Sequence, residues 1–187
     1  MVSTPPDLLA TVGATMGSLA PANAFHAEVL AGVLGARLYR VVGPTWFSYT
    51  DEAGFKPAVP RDVRPLKPKD KETLLELAMA CPPDEWEAAG FEVGQTGLFG
   101  GFVGSELACV GRAARFGEGI VGIGVITRPA RRGQGLATAL VSDLTRRTLE
   151  QGFVPQLRMD AENQAAVSMA MALGYEPYAA TLVARLR

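Results

Sequence analysis

Residues 119–151 constrain the fold most, because a strand, a glycine-bearing loop and a helix follow one another there. The segment reads GIVGIGVITRPARRGQGLATALVSDLTRRTLEQ. Its apolar, β-branched start predicts a strand that ends at Pro129, and the apolar spacing after Gly135 predicts an amphipathic helix. The first N–H groups of a helix have no partner within it and carry the positive end of its dipole. This order therefore predicts a site for a phosphate-bearing ligand.

The composition argues against several functional classes. The chain has 187 residues, 48% of them hydrophobic and 20% charged, and a formal net charge of −1. These values are typical of a globular protein and indicate no bulk attraction to nucleic acid or to an anionic membrane. The N-terminus lacks the pattern of a signal peptide, and no apolar run is long enough for a membrane helix. We therefore expect a cytoplasmic protein that binds neither nucleic acid nor a membrane.

The two cysteines, Cys81 and Cys109, show no metal-ligand spacing. A single pair of cysteines in a chain of this length is typical of free thiols in a cytosolic protein. We therefore expect no metal site and no disulfide.

The first sixty residues predict a small α+β extension. Its predicted elements are helices over residues 7–18 and 22–34 and strands over residues 38–42 and 46–49. Gly43-Pro44-Thr45 separates the two strands, so they are predicted to form a β-hairpin. Residues 56–69 contain four prolines and six charged residues, which is the composition of a linker. We therefore divide the chain near Pro60, into an extension over residues 1–60 and a main domain over residues 61–187.

The main domain predicts the element order β α α β β β α β α β β. The predicted helices cover residues 70–80, 85–90, 135–151 and 163–174, and the main strands cover residues 96–103, 106–113, 119–127, 153–159, 175–178 and 181–186. Short turns link the strands from 96 to 127, which predicts an antiparallel meander, whereas a helix connects strand 119–127 to strand 153–159 and makes that pair parallel. The fold class is therefore α/β (α+β), with a mixed, mainly antiparallel sheet flanked by helices.

One motif in this region is misleading. Residues 117–122 fit G-x-G-x-x-G, the spacing of a dinucleotide-binding fingerprint. That fingerprint requires its glycines between a strand and a helix, whereas here they open a strand. We therefore reject a dinucleotide-binding role for these glycines.

The loop from Arg132 to Ala137 has the required context between a strand and a helix. Gly133 and Gly135 let phosphates approach the backbone without a Cβ clash, and Arg131 and Arg132 add charge-assisted donors. A diphosphate is the expected ligand, and the loop is not a P-loop because G-x-x-x-x-G-K-[ST] is absent. The alternative is that the glycines only form a tight turn and that the arginines are solvated.

A resemblance to a known family favours the first interpretation. ITRPARRGQGLATALV resembles the acetyl-CoA-binding segment of the GNAT superfamily of N-acetyltransferases, in which Arg/Gln-x-x-Gly-x-Gly/Ala is the signature. Arg132, Gly135 and Ala137 occupy its fixed positions. Asn163-Gln-Ala-Ala166, followed by Leu173-Gly174-Tyr175, resembles the second landmark of the family. The resemblance covers about residues 61–187.

The resemblance implies a GNAT-like sheet that splays beside its parallel strand pair, and transfer of an acetyl group from acetyl-CoA to a primary amine, with CoA as product. It implies that Val125, Ile126 and Thr127 pair with the pantetheine arm as an added strand. Asn163 would contact the arm near its acetyl end. The implied diphosphate loop consists of Arg131, Arg132, Gly133, Gln134, Gly135, Leu136, Ala137 and Thr138.

The catalytic residues are less well defined, because the chain departs from the family pattern. The Tyr that often serves as general acid in the family is replaced here by Ala170, which leaves Ser168 and Tyr175 as nearby hydroxyls and water as an alternative donor. Glu118, at the start of strand 119–127, is our candidate general base, and Ser168 is our candidate acid. Other carboxylates that we considered are Glu85, Glu87, Glu92, Asp160 and Glu162.

The amine acceptor is not identified by the sequence. The chain has no acidic tract for a polycation, so we favour a small amine or an amino-acid-like molecule. An alternative, prompted by Ala170 and by the glycines of strand 119–127, is a non-catalytic acyl-CoA-binding module. The first sixty residues could also serve in dimerisation or complete the acceptor site, and we expect a homodimer.

Overall fold

The computed structural model describes residues 3–20, 23 and 26–187. The helices are α1 (Leu9–Gly17), α2 (Ala27–Leu34), α3 (Lys71–Ala80), α4 (Pro83–Ala89), α5 (Leu136–Glu150) and α6 (Gln164–Ala172). The strands are β1 (Leu38–Tyr49), β2 (Val63–Pro65), β3 (Phe99–Val103), β4 (Glu106–Phe116), β5 (Ile120–Thr127), β6 (Val154–Asp160) and β7 (Glu176–Leu186). Residues 22, 24 and 25 of the second predicted helix lie outside the described residues.

The strands form one seven-stranded sheet in the order β2-β3-β4-β5-β6-β1-β7. Neighbouring strands are antiparallel except β5 and β6, which are parallel and are connected by α5. A parallel pair needs a crossover connection, and an amphipathic helix of 15 residues supplies it here. The predicted antiparallel meander and the predicted parallel pair are both confirmed.

Helices cover both faces of the sheet and create two main cores. Leu140 and Leu144 of α5 are almost fully buried against Ile123 and Leu157 on one face. On the other face, Leu77 of α3 packs into a second cluster. Full burial of each such side chain contributes roughly 1.5–3 kcal/mol. The sheet between these layers is therefore held on both sides, which fixes the strand ends that form the site.

The predicted N-terminal hairpin is wrong, because residues 38–49 form one continuous strand. Gly43-Pro44 lies within that strand, where the register against β7 shifts between Val42 and Thr45. A β-bulge accommodates proline, which cannot donate to a ladder, without reversing the chain. The two predicted strands at the C-terminus are likewise one strand, β7, because Ala179 and Ala180 continue the pairing with β1.

Strand β1 lies between β6 and β7, so the sheet contains strands from both sides of residue 60. It pairs with β6 from Thr45 opposite Asp160 to Tyr49 opposite Gln156. A third hydrophobic cluster joins α1 and α2 to the far end of β1 and β7, through residues such as Val12 and Leu34. Residues 1–60 thus contribute a strand to the same sheet as residues 61–187.

The segment with linker composition is fixed to the main domain. The Lys56 N–H donates to the Leu173 carbonyl at 3.0 Å, and the Ala58 N–H donates to Ser142 Oγ at 2.9 Å. Gly174 allows this close approach, because a Cβ there would collide with the Gly54 carbonyl oxygen. The segment between β1 and β2 is therefore held against the C-terminal end of α6.

We predict that Gly174→Ala lowers the free energy of unfolding by about 2–4 kcal/mol. The substitution combines the strain of a φ of +83° with a backbone collision. Gly119→Ala is the matched control, because Gly119 has open space around it and should change stability by about 0.5 kcal/mol or less. Urea unfolding measures both. Equal stabilities of the two variants would contradict the proposed packing.

Candidate functional site

The site is a cleft that opens where β5 and β6 separate. These strands pair only from Ile120 opposite Val154 to Ile123 opposite Leu157. Beyond that point β5 pairs with β4 alone, and β6 pairs with β1 alone. The resulting cavity has a volume of about 1240 Å³, above the range that is usual for pockets that bind one small molecule. It is large enough for an extended ligand and a second reactant.

The loop before α5 presents free backbone donors to one end of this cleft. Gly133 and Gly135 both have left-handed backbone, with φ of 74° and 73°. No side chain caps the start of α5, and its first turn contains no acidic residue. Leu136, Ala137 and Thr138, the first three residues of the helix, line the cavity. The arrangement combines unsatisfied N–H groups with the positive end of the helix dipole, which suits an anion.

Two carboxylates hold the arginines of this loop. Arg131 donates to Glu106 from Nε at 2.9 Å, and Arg128 Nε lies 3.1 Å from the same carboxylate. The hydrogen bond from Arg131 lowers the pKa of Glu106, so this carboxylate stays ionised. Arg132 pairs with Glu85 of α4 across the mouth of the cleft. Three arginines thus face two carboxylates, which leaves a positive excess at the loop.

Most of the predicted binding residues line the cleft together. They are Val125, Ile126, Thr127, Arg131, Arg132, Gly133, Gly135, Leu136, Ala137, Thr138 and Asn163, with the candidate acid Ser168. Gln134 and Glu118 are absent from the cavity wall. The strand edge, the loop and the start of α6 therefore converge on one space.

The structure places Glu118 outside the cleft. It lies in the exposed turn between β4 and β5, after Gly117. Five residues separate it from Gly124, four of them in β5, which corresponds to roughly 15–20 Å. A general base must lie within hydrogen-bond distance of the proton that it removes, directly or through one water. The geometry therefore gives Glu118 no support as the base.

The candidate residues that the sequence analysis named on and next to α6 are partly accessible and partly buried. Asn163 caps the helix, because its Oδ1 accepts from the Ala166 N–H at 3.1 Å. Ala170 is 2% exposed and packs in the core, so the cleft has no hydroxyl from that position. The Tyr175 hydroxyl is buried 2.6 Å from Thr145 Oγ1, and burial raises its pKa. Ser168 is thus the hydroxyl of this helix that reaches the cavity.

Several lining residues were missed by the sequence analysis. Alternating residues of β4 and β6 share the α4 side of the sheet with Gly122 and Gly124, and β1 adds further lining residues. The missed set comprises Val42, Thr45, Ala88, Ala89, Arg112, Ala114, Phe116, Gln156 and Arg158. Period-two spacing could have assigned those on β4. The contribution of β1 could not be foreseen while residues 38–49 were predicted to form a hairpin.

One further arginine approaches the loop from the segment after β1. A Cβ added to Gly135 would lie 3.8 Å from Arg61 Nη2. This guanidinium belongs to the proline-rich segment that was predicted to be a linker. It adds positive charge beside the start of α5.

Two features, a membrane-spanning helix and a metal-binding cluster, are absent from the described residues. Over residues 3–20, 23 and 26–187, no helix is long and apolar enough to cross a membrane. Within the same ranges, His, Cys, Asp and Glu side chains form no group of three or more that could hold a metal ion.

A family comparison agrees with the fold and the site. Residues 99–181, somewhat less than half of the chain, match the family model described as GNAT acetyltransferase. The matched segment runs from β3 into β7 and includes the glycine loop and α6. This match supports acyl transfer as the general class of reaction. No curated protein matches the chain.

Solved structures of GNAT proteins share the fold. An acetyltransferase of the GNAT family from Colwellia psychrerythraea superposes with a TM-score of 0.64 at 16% identity, over 84% of this chain and 61% of that chain. A GNAT-family protein from Novosphingobium aromaticivorans gives 0.62 at 23% identity, over 79% and 65%. The GNAT domain of S. lividans PAT gives 0.52 at 15% identity, over 73% and 99%. The chain therefore spans less than two thirds of the first two neighbours.

We predict that Glu85→Gln raises the affinity of the loop for inorganic diphosphate roughly 2- to 5-fold, because Arg132 no longer has to leave a carboxylate. Both partners of this ion pair are almost half exposed, so stability should change by less than about 1 kcal/mol. Calorimetry measures the affinity. Glu87→Gln on the same helix is the control, since Glu87 does not line the cleft. Weaker binding by the Glu85 variant would refute competition between Glu85 and the ligand.

Proposed function

We propose that the protein is an N-acetyltransferase that moves an acetyl group from acetyl-CoA to a primary amine. One observation carries the proposal: an uncapped helix start and an unpaired strand edge border the same cleft. The first suits a diphosphate, and the second suits an extended amide-containing arm. Acetyl-CoA contains both groups. The match to the GNAT family model supports the same class of reaction.

The residues of the cleft divide into two binding functions. The N–H groups from Gly133 to Thr138 would receive the diphosphate, and Arg132 and Arg61 would add charge beside it. The edge of Val125–Thr127 lacks a β6 partner, so the Val125 backbone groups and the Thr127 N–H are available to amides of the pantetheine arm. The Thr127 carbonyl accepts a hydrogen bond from Arg132 Nε at 3.3 Å. With this division we expect the thioester to lie toward Gly124, between the separated strands.

The proposed chemical step is direct transfer. The acceptor must reach the cleft as a neutral amine, whose nitrogen attacks the thioester carbonyl carbon. A C–N bond forms, the C–S bond breaks, and the sulfur leaves as a thiolate that takes up a proton. The amide nitrogen loses its surplus proton in the same sequence, so atoms and charge balance with CoA and the acetylated amine as products.

Asp160 is our candidate for accepting the proton from the amine. It lines the cleft, and in the described part of the chain it forms no ion pair, whereas Glu85 is held by Arg132. Its Oδ1 accepts from the Glu162 N–H at 2.9 Å, which fixes its orientation at the end of β6. Ser168 is the candidate proton donor to sulfur, with water as the alternative, because no tyrosine occupies position 170.

The competing function is a non-catalytic acyl-CoA-binding module. Ala170 favours it, because the hydroxyl that the family often places there is missing. Incubation of acetyl-CoA with a library of amines separates the two functions. Release of free CoA that depends on an amine supports the enzyme, whereas tight CoA binding without turnover supports the module.

We predict that Gly135→Asp lowers the affinity for CoA at least about 100-fold, because a carboxylate at the loop repels the diphosphate. Calorimetry measures the loss. Gly94→Asp is the control, since Gly94 is exposed, has a φ of +96° and lies outside the cleft wall. The two variants should unfold alike, because both place Asp on left-handed backbone. Unchanged affinity in Gly135→Asp would refute the cofactor assignment.

We predict that Asp160→Asn lowers kcat about 100-fold, the scale of general-base catalysis, while CoA affinity is retained. Asparagine keeps an oxygen that can accept the Glu162 N–H, so the local turn should persist. Glu162→Gln is the control on the neighbouring carboxylate, which does not line the cleft. A rate close to that of the unchanged protein would remove Asp160 from the mechanism.

Two further expectations accompany this proposal. We propose a cytoplasmic location and assembly as a homodimer, the default oligomer of soluble proteins. Sedimentation of the purified chain tests the second expectation. The preferred acceptor remains a small or amino-acid-like amine.

A further inference from the structure

Two arginines flank the part of the cleft where the acceptor amine would enter. Arg112 of β4 and Arg158 of β6 both line the cavity. Neither belongs to the loop that would receive the diphosphate, so the proposed binding of acetyl-CoA gives them no function. We therefore consider these two arginines as binding residues for the second reactant, the acceptor amine.

The strand register places both arginines on one face of the sheet. Arg112 pairs with Gly124 of β5, and Gly122 pairs with Gln156, two residues before Arg158. Residues that pair across strands share a face, and so do alternating residues along a strand. Arg112 and Arg158 thus lie on either side of β5, on the face that carries Gly124. With strands about 4.8 Å apart, their backbones are roughly 10 Å apart before the splay.

The residue of β5 that lies between these arginines is Gly124, which has no side chain. A Cβ there would be in ordinary contact with Ala89 and Phe91, each at 3.9 Å. The Arg158 guanidinium stacks over the Phe47 ring at 4.9 Å, and Arg112 Nη2 lies 3.7 Å from a Cβ position on Gly90. Both side chains are therefore supported by neighbours while they line the cleft.

Neither arginine is neutralised within the described parts of the chain. The ion pairs found there involve Arg37, Arg64, Arg128, Arg131, Arg132, Arg146 and Arg147, all with carboxylates. Over the same residues, Arg112 and Arg158 donate no hydrogen bond to a protein group. Two guanidinium groups that share a cleft repel one another, and an anion placed between them removes that repulsion. Their planar donors fit a carboxylate with paired hydrogen bonds.

We propose that the acceptor is an amine that also carries a carboxylate, as an amino acid does, and that Arg112 and Arg158 bind this carboxylate. The inference rests on the proposed acetyl transfer and specifies its substrate class. Asp160, which also lines the cleft, would face the ammonium end of the same molecule. The two arginines would repel polyamines and other acceptors without a negative group, which gives selectivity by charge.

The test compares acceptors that carry a carboxylate with matched molecules in which that group is a carboxamide or is absent. Glycine, β-alanine, phenylalanine and glutamate are each assayed beside the carboxamide of the same molecule, and lysine is assayed beside cadaverine. Release of CoA from acetyl-CoA gives kcat and KM. We expect kcat/KM to be at least tenfold higher for one or more acids than for the matched neutral amine. A carboxamide amine is less basic and is more often neutral, so this bias works against the expected result.

Variants then assign the preference to residues. Arg112→Gln and Arg158→Gln should each raise KM for the favoured acid roughly 10- to 100-fold, the effect of losing a charged hydrogen bond, and leave KM for its carboxamide unchanged. Arg112→Lys should recover part of the loss. Arg115→Gln is the control, because Arg115 lies on the opposite face of β4 and stacks on Phe153 at 4.0 Å. Far-ultraviolet circular dichroism and CoA affinity verify that each variant is folded.

The outcomes separate this inference from the proposed function. Acetylation of carboxamides or cadaverine as efficiently as of the acids would overturn the inference and leave acetyl transfer in place. If both glutamine variants kept the KM of the unchanged protein for the acid, the inference would also be overturned. Failure of every amine to release CoA would overturn the proposed function, and the inference with it.

Discussion

The cleft depends on one constraint, the incomplete pairing of two parallel strands. β5 and β6 share a ladder over four residue pairs and then diverge. Each strand keeps its other neighbour, so the separation leaves open edges inside a sheet that is otherwise paired. Unpaired backbone groups favour a partner, and an extended ligand with amide groups can supply one. The separation of the two strands thus forms the cleft, and the unpaired backbone groups along it can contribute to ligand binding.

The two halves of the cleft arise from different parts of the chain. One continuous segment, from β5 through the glycine loop to α6, supplies the edge, the helix start and Asn163. The other half is assembled from distant elements: α4, β4 and the N-terminal strand β1, which contributes Thr45 opposite Asp160. This division separates the proposed cofactor site, which is local in sequence, from the proposed acceptor site, which exists only after folding.

The same division explains how much could be predicted from the sequence. Local signals were sufficient for the glycine loop, the crossover helix and the parallel pair, because each depends on neighbouring residues. Glu118 was chosen by its place at the start of a strand, and no local pattern reveals that it lies in an exposed turn outside the cleft wall. The position of β1 in the sheet could not be predicted from the sequence, because Gly43-Pro44 is compatible with both a hairpin turn and a β-bulge.

The place of β1 also determines the order in which the chain can fold. Both partners of this strand, β6 and β7, follow it by roughly a hundred residues or more. At ordinary translation speeds, the strand would remain without partners for roughly 5–20 s after leaving the ribosome. Pairings between such distant segments form late and slow the folding of a domain. The first part of the chain to be synthesised therefore completes the sheet only at the end, and until then it is a β-prone segment that chaperones could protect.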